Sequence, residues 1–174
     1  EKVIEDFFDT EDGYFHFSSR SSEKLIARKK EIFDNVIPSA NSMMARNLLA
    51  LSNYFDRNDW REIATQMVSK LSNLLLTETA YMANWGMAYL EANKDFEEVA
   101  ISGDECISMR KSFGKSFLPF ALFSGTNSAS ELPILKGRES KNNATLIYVC
   151  RDKTCRLPVS EVSSALLEIE QLKN

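Results

Sequence analysis

At 174 residues, with 44% apolar and 26% charged side chains, the chain has an ordinary globular composition and the length for one good core or two small ones. A formal net charge of −4 and a pI near 5.2 give it no electrostatic reason to hold a phosphate backbone, so no nucleic-acid partner is expected. No window approaches the roughly 20 continuous apolar residues of a spanning helix, so no membrane partner is expected either, and the chain reads as soluble.

Residues 1–9 read as the end of a helix stopped by the turn from Thr10 to Gly13. The start lacks an initiator Met and a basic-then-apolar signal pattern, as expected of a segment cut from a longer chain. Tyr14, Phe15 and Phe17 form a short aromatic stretch, strand or extended loop, and Ser18 to Ser22 is turn-like. The densest basic run, Arg28-Lys29-Lys30, is flanked by Glu23 and Glu31, the pattern of a solvated face rather than a binding patch.

Pro38 and Ser39 supply a helix start, because proline fixes φ and serine accepts from the first-turn amides. A helix over about 39–54 follows, with Met44, Leu48, Leu51 and Phe55 on one stripe. Asp59 is expected to cap a second helix whose broad apolar face runs from Trp60 to Leu75. The short break at Arg57-Asn58-Asp59 predicts an antiparallel hairpin of the two. A third helix, over about 79–93, carries Tyr81, Met82, Trp85, Ala88 and Tyr89.

After Asn93 the texture changes to short strand-like runs. Val99-Ala100-Ile101, the turn Ser102-Gly103-Asp104 and a helical stretch to about Phe117 read as strand, turn, helix. Further strands are expected at 120–123 and 146–149, with 157–159 pairing back across the Arg151-Asp152-Lys153 turn, and a last amphipathic helix over 161–172. The span between Gly125 and Asn143 has no period and is expected to be loop.

His16 is the only histidine, which excludes a multi-histidine metal site within this chain and leaves acid–base chemistry to carboxylates. It reads as an exposed loop residue. The three cysteines, Cys106, Cys150 and Cys155, are too few for a disulfide-stapled secreted scaffold, which favours a reducing compartment and a cytoplasmic location. Cys150 and Cys155 form a C-x₄-C without redox-dithiol or zinc-knuckle spacing. Two buried thiols on a hairpin are the first reading, and a disulfide across the turn or a metal site completed from elsewhere remain open. Nothing matches a Gly-rich nucleotide loop or a P-loop, and no cofactor is expected.

The stretch from Glu31 through Ile32-Phe33-Asp34-Asn35 to Pro38-Ser39-Ala40-Asn41-Ser42, then Leu48-Leu49, resembles the thioredoxin-domain-containing proteins related to spermatogenesis-associated protein 20. Phe7-Phe8-Asp9-Thr10 with Gly13-Tyr14-Phe15, and Tyr148-Val149-Cys150 with Cys155 and Pro158, extend the resemblance over nearly the whole chain in the same order. The resemblance implies an α+β chain, mainly helical: residues 1–93 as the last hairpins of an (α/α) toroid like those of six-hairpin glycosidases and epimerases, and 94–174 as a small C-terminal α/β unit. The rest of the toroid and an N-terminal thioredoxin-like domain are then its expected partners.

The resemblance also implies a central sugar-sized cavity, with Arg28, Lys30, Glu31, Asp34, Ser39 and Asn41 at or near it. The leading expectation is a carbohydrate-active segment, glycosidase- or epimerase-like, with Asp34 or Glu31 as acid or base and Arg28, Lys30, Ser39, Asn41 and Trp85 holding a sugar. The structural alternative for the same motif is a buried loop-to-helix junction in which Asp34 and Asn41 satisfy backbone groups. The functional alternative is a non-catalytic scaffold presenting client proteins to the thioredoxin-like domain. Two departures stand out: the family usually carries glycine where Asn35 and Ala40 stand, and glycine is typical where backbone approaches another group closely.

Overall fold

The computed structural model describes residues 1–22, 27–139 and 144–173. Glu23, which flanks the basic run, and positions 140–143 of the expected loop lie outside the described residues. The chain divides into two compact units, one of Glu1–Ser52 with Arg57–Lys94, the other of Asn53–Asp56 with Asp95–Asn174.

The first unit is helical: α1 (Lys2–Phe7), α2 (Ala40–Phe55) as far as Ser52, α3 (Asn58–Ser69), α4 (Ser72–Thr77), a 3₁₀ turn at Thr79–Tyr81, and α5 (Ala83–Ala92). Its buried apolar residues include Tyr14, Phe15, Leu48, Leu49, Met67, Leu71 and Trp85. The ring of consecutive hairpins does not form. Instead of a long helix from Trp60 to Leu75 pairing with α2, the chain makes a three-turn α3 and a six-residue α4, and α3 packs most closely on α5 rather than on α2.

The cause of the break is visible at Tyr14. Its hydroxyl donates to the Met67 carbonyl at 3.0 Å, and that carbonyl is the one a continuing helix would offer to the Leu71 amide. The Leu71 amide turns to Val68 instead, at 3.1 Å, a tightening typical of a helix end. Lys70 Nζ donates to the Asp12 carbonyl at 2.6 Å, drawing the end of α3 toward the same aromatic loop. Hydrophobic periodicity runs on through residues 70 and 71, so the pattern alone could not show the interruption.

The second unit is built on a mixed four-stranded sheet of order β2-β1-β3-β4, with β1 (Glu97–Ser102), β2 (Ala121–Thr126), β3 (Leu146–Arg151) and β4 (Thr154–Cys155). β1 and β2 are parallel and joined by α6 (Cys106–Phe113); β1–β3 and β3–β4 are antiparallel. Every residue of β1 is buried, because strands flank it on both sides and both of its faces are covered. Val99, Ile101, Ile147 and Val149 pack on one face against Phe113 of α6 and Ala165 and Ile169 of α7 (Val162–Lys173). Ala100 and Tyr148, on the other face, meet Tyr54, Ile134 and Leu135.

The strand is longer than its apolar run because Glu97 and Glu98 belong to it. Glu97 is accommodated by Arg151, whose Nη2 donates to Oε1 at 2.7 Å. The turn after β1 needs Gly103: its φ is 136°, and a Cβ there would stand 2.6 Å from Thr145 Cα. Residues 157–159 pair back only through a Val159–Ile147 bridge, while Thr154–Cys155 form the short outer strand.

Candidate functional site

The loop 28–42 of the helical unit is held by polar groups that are almost all in use. Ser39, just before α2, accepts from the Ser42 amide through Oγ at 3.1 Å, which is the work of an N-cap. Asp34, 7% exposed, accepts through Oδ1 from the Ser39 amide and the Ser42 hydroxyl, both at 2.8 Å. Its Oδ2 accepts from the Asn84 amide at 2.8 Å. Asn84 lies in the first turn of α5, whose own N-cap residue is Met82 and supplies no side-chain acceptor, so Asp34 caps that helix from a distance.

The same loop is tied once more to α5 and once to the 3₁₀ turn before it. The Asp34 amide donates to the Tyr81 carbonyl at 2.8 Å, and Trp85 Nε1 donates to the Ile32 carbonyl at 2.6 Å. Trp85 is fully buried, edge-on to Tyr14 at 6.2 Å between ring centroids, and offers no face to solvent. Asn41, also buried, acts as a strand partner made from a side chain: Oδ1 accepts from the Phe15 amide at 2.7 Å, and Nδ2 donates to the Phe15 and Glu31 carbonyls at 2.9 and 3.0 Å.

Arg28 and Lys30 face the aromatic loop. Arg28 Nη2 donates to the Ser18 carbonyl at 2.5 Å, and Lys30 Nζ bridges Asp9 Oδ2 at 2.6 Å and Asp12 Oδ2 at 2.5 Å. Lys30, ahead of a hydrogen bond from the Glu11 amide, pulls the Asp9 carboxyl down to about 2. His16 is half-buried rather than exposed, with Nε2 3.1 Å from Asp9 Oδ2. Behind the site, Arg46 of α2 grips Glu91 of α5 through Nε and Nη2, at 2.6–3.0 Å, and donates through Nη1 to Asn84 Oδ1 at 2.8 Å.

Beside this scaffold lies a cleft of about 800 Å³ lined by Phe17, Lys29, Lys30, Glu31, Ile32, Phe33, Asp34, Asn35, Glu78 and Tyr81. Phe33 and Tyr81 stand edge-to-face at 6.5 Å and are about half exposed, and Phe17 is 75% exposed. Glu31, Glu78 and Lys29 are exposed beside them. Of the residues singled out from sequence, Glu31, Lys30 and Asp34 line the cleft, whereas Arg28, Ser39, Asn41 and Trp85 do not.

The aromatic wall was missed by sequence reasoning, because Tyr81 shares helical spacing with Trp85 and Tyr89, which puts it inside the helix expected over 79–93. Phe33 lies in the loop before α2, and Tyr81 in the 3₁₀ turn before α5. Neither Asn35 nor Ala40 has a positive φ; among the described non-glycine residues that conformation belongs to Asp56, Asp152 and Lys153. The two departures from glycine therefore meet no backbone strain.

In the second unit Cys150 and Cys155 are joined as a disulfide between β3 and β4, and Cys155 is exposed, so the two-buried-thiols reading gives way to the cross-turn bond. Among the described residues no group of three or more His, Cys, Asp or Glu side chains is arranged to hold a metal, and no helix is long and apolar enough to cross a membrane.

The chain is 24% identical to human spermatogenesis-associated protein 20 over 166 residues, covering 89% of this chain and 21% of that protein. The rat and mouse proteins of the same name are 22% and 21% identical over 159 residues, with 86% of this chain covered. This is distant homology, and the chain spans about a fifth of the length of these relatives. No family model matches the chain. No solved structure matches it.

Proposed function

We propose that the helical unit is a carbohydrate-binding module of a longer thioredoxin-domain-containing protein, with the Phe33–Tyr81 cleft as the ligand seat. The observation that carries the reading is the pairing of exposed aromatic faces with ionised and amide side chains in one concavity. A sugar ring has an apolar face that stacks on an aromatic and an edge of hydroxyls that donate and accept. Tyr81 and Phe33 suit the first, and Glu31, Glu78, Lys29 and Asn35 suit the second. A volume of about 800 Å³ falls in the range of small-molecule seats and exceeds what one ring fills, which favours an oligosaccharide.

Within this reading Asp34 shapes the cleft and Glu31 touches the ligand. Asp34 already accepts three hydrogen bonds from buried or helix-terminal donors, and a proton transfer there would break the cap of α5. The test is calorimetric titration of an oligosaccharide panel into the chain and into the longer protein. Binding is expected to weaken by tenfold or more in Tyr81→Ala and by a few-fold in Glu31→Gln, on the order of 1–2 kcal/mol for the aromatic. Absence of heat and of competition across the panel would end the carbohydrate reading.

A second reading has its own observation. Val36 is 96% exposed and Ile37 70% exposed on a loop held firmly at both ends, a surface suited to a protein partner. Here the unit acts as a scaffold that presents client proteins to a thioredoxin-like domain. Charged replacements, Val36→Glu with Ile37→Lys, would then abolish association with that domain or its clients while leaving sugar titrations unchanged.

A further inference from the structure

The second unit carries chemistry of its own, independent of the cleft. We propose that Cys150 and Cys155 form a thiol–disulfide exchange site for dithiol partners, entered at Cys155 and tuned by Arg138. The two sulfurs differ sharply in access: Cys150, on β3, is fully buried, and Cys155, on the two-residue β4, is exposed. They are direct cross-strand partners across the turn Asp152-Lys153.

Arg138 makes the exposed sulfur chemically distinct. Its Nη2 lies 3.0 Å from Cys155 Sγ. Its Nη1 donates to the carbonyl of Ile134, a residue 3% exposed in the core on that face of the sheet, so the guanidinium is fixed rather than free to swing away. A cation at hydrogen-bond distance stabilises a thiolate, which makes Cys155 the better leaving group and, once reduced, the better nucleophile.

A purely structural staple is poorly served by this position. A disulfide stabilises mainly by closing a loop in the unfolded chain, and the effect is smallest for short loops; this one spans a sequence separation of five. The hairpin is also held without it, by the Arg151–Thr154 pair and by the Arg156 amide, which donates to the Val149 carbonyl at 3.0 Å. β3 is further secured by β1 on its other side. Opening the bond therefore frees two sulfurs without unravelling the sheet.

The exchange balances as two displacements. A thiolate of the incoming dithiol attacks Cys155 Sγ; a new S–S bond forms, the Cys150–Cys155 bond breaks, and Cys150 leaves with the electron pair and takes a proton. The partner's second thiolate then attacks its own sulfur in the mixed disulfide and expels Cys155 as a thiolate beside Arg138. The partner is oxidised to its disulfide, and Cys150 and Cys155 are reduced. The reverse sequence oxidises the pair at the expense of a partner disulfide.

The experiment uses the whole chain with Cys106→Ser, so that only the pair reports. The oxidised protein is treated with dithiothreitol or glutathione, alkylated with iodoacetamide and mapped by mass spectrometry, with far-UV circular dichroism recorded alongside. The expected results are reduction by dithiothreitol with the native spectrum kept, glutathione trapped on Cys155, and alkylation of reduced Cys155 at least about tenfold faster than of Cys150. If the guanidinium raises the thiolate fraction about tenfold near neutral pH, Arg138→Gln slows Cys155 alkylation by about threefold, since intrinsic nucleophilicity partly offsets the gain. A bond that opens only in denaturant, glutathione on Cys150, or equal alkylation rates for the two sulfurs would overturn the exchange site. An unchanged Cys155 rate in a folded Arg138→Gln protein would overturn the role of Arg138.

Discussion

Removing the Asp34 carboxylate strands the amides of Ser39 and Asn84, and each buried donor left without a partner costs about 1–3 kcal/mol. Asp34→Ala is therefore expected to lower the unfolding free energy by about 2–4 kcal/mol in urea titrations, whereas Glu31→Gln, at an exposed side chain, stays within about 0.5 kcal/mol. Equal, small losses for both would contradict the capping role. Asp9 supplies a prediction in pH. Its carboxyl is held at about 2, below its ordinary 3.8, first by Lys30, so the folded state favours the ionised form. Its contribution is complete above about pH 4 and is lost as pH falls through 2, and Asp9→Asn should flatten the stability–pH curve in that window. Asp34 shows how far residue type can mislead: a carboxylate in a polar loop has the chemistry of an acid–base catalyst and of a helix cap alike, and only its neighbours distinguish the two. Asn41 and Ser39 share that ambiguity, although the Pro38-Ser39 start of α2 was legible from capping preference.

The β3–β4 hairpin turns on two non-glycine residues with positive φ, Asp152 at 47° and Lys153 at 61°. This is the mirror-image turn that suits the twist of antiparallel strands, and any residue with a Cβ is disfavoured there. Lys153→Gly is expected to raise stability by about 0.5–1 kcal/mol in thermal melts, because the conformational relief outweighs the exposed Lys153–Asp56 ion pair it removes. A lower melting temperature would show that the ion pair dominates. The strands themselves were visible as short apolar runs, α2 and α7 as amphipathic stretches, and α6 as a helical stretch after the Ser102-Gly103-Asp104 turn. The α3–α4 break was not, because it depends on Tyr14 reaching the Met67 carbonyl from 53 residues away. Periodicity records which face of a helix is apolar, and carries no trace of a distant hydroxyl competing for one carbonyl. The inclusion of Glu97 and Glu98 in β1 escaped for a similar reason, since the partner of Glu97 is Arg151 on β3.

Taken whole, the chain pairs a helical unit that positions an aromatic cleft with a mixed-sheet unit that carries an accessible disulfide. A run of amphipathic helices and a set of short strands have different hydrophobic periods, and the sequence changes from the first texture to the second near Asn93. The ring of hairpins was inferred from resemblance, and the short, interrupted helices and the α3–α5 pairing replace it. What remains of the carbohydrate proposal rests on the cleft itself: Asp34, Phe33, Tyr81 and Glu31 line it, while Asn41 and Trp85 lie outside its lining and hold the loop in place. Amide chemical-shift mapping during an oligosaccharide titration separates these two sets directly. Saturable shifts confined to Phe17, the segment from Lys29 to Asn35, and Glu78 to Tyr81, and lost in Tyr81→Ala, are the expected result. Saturable shifts centred elsewhere, or none at millimolar sugar, would contradict the proposal.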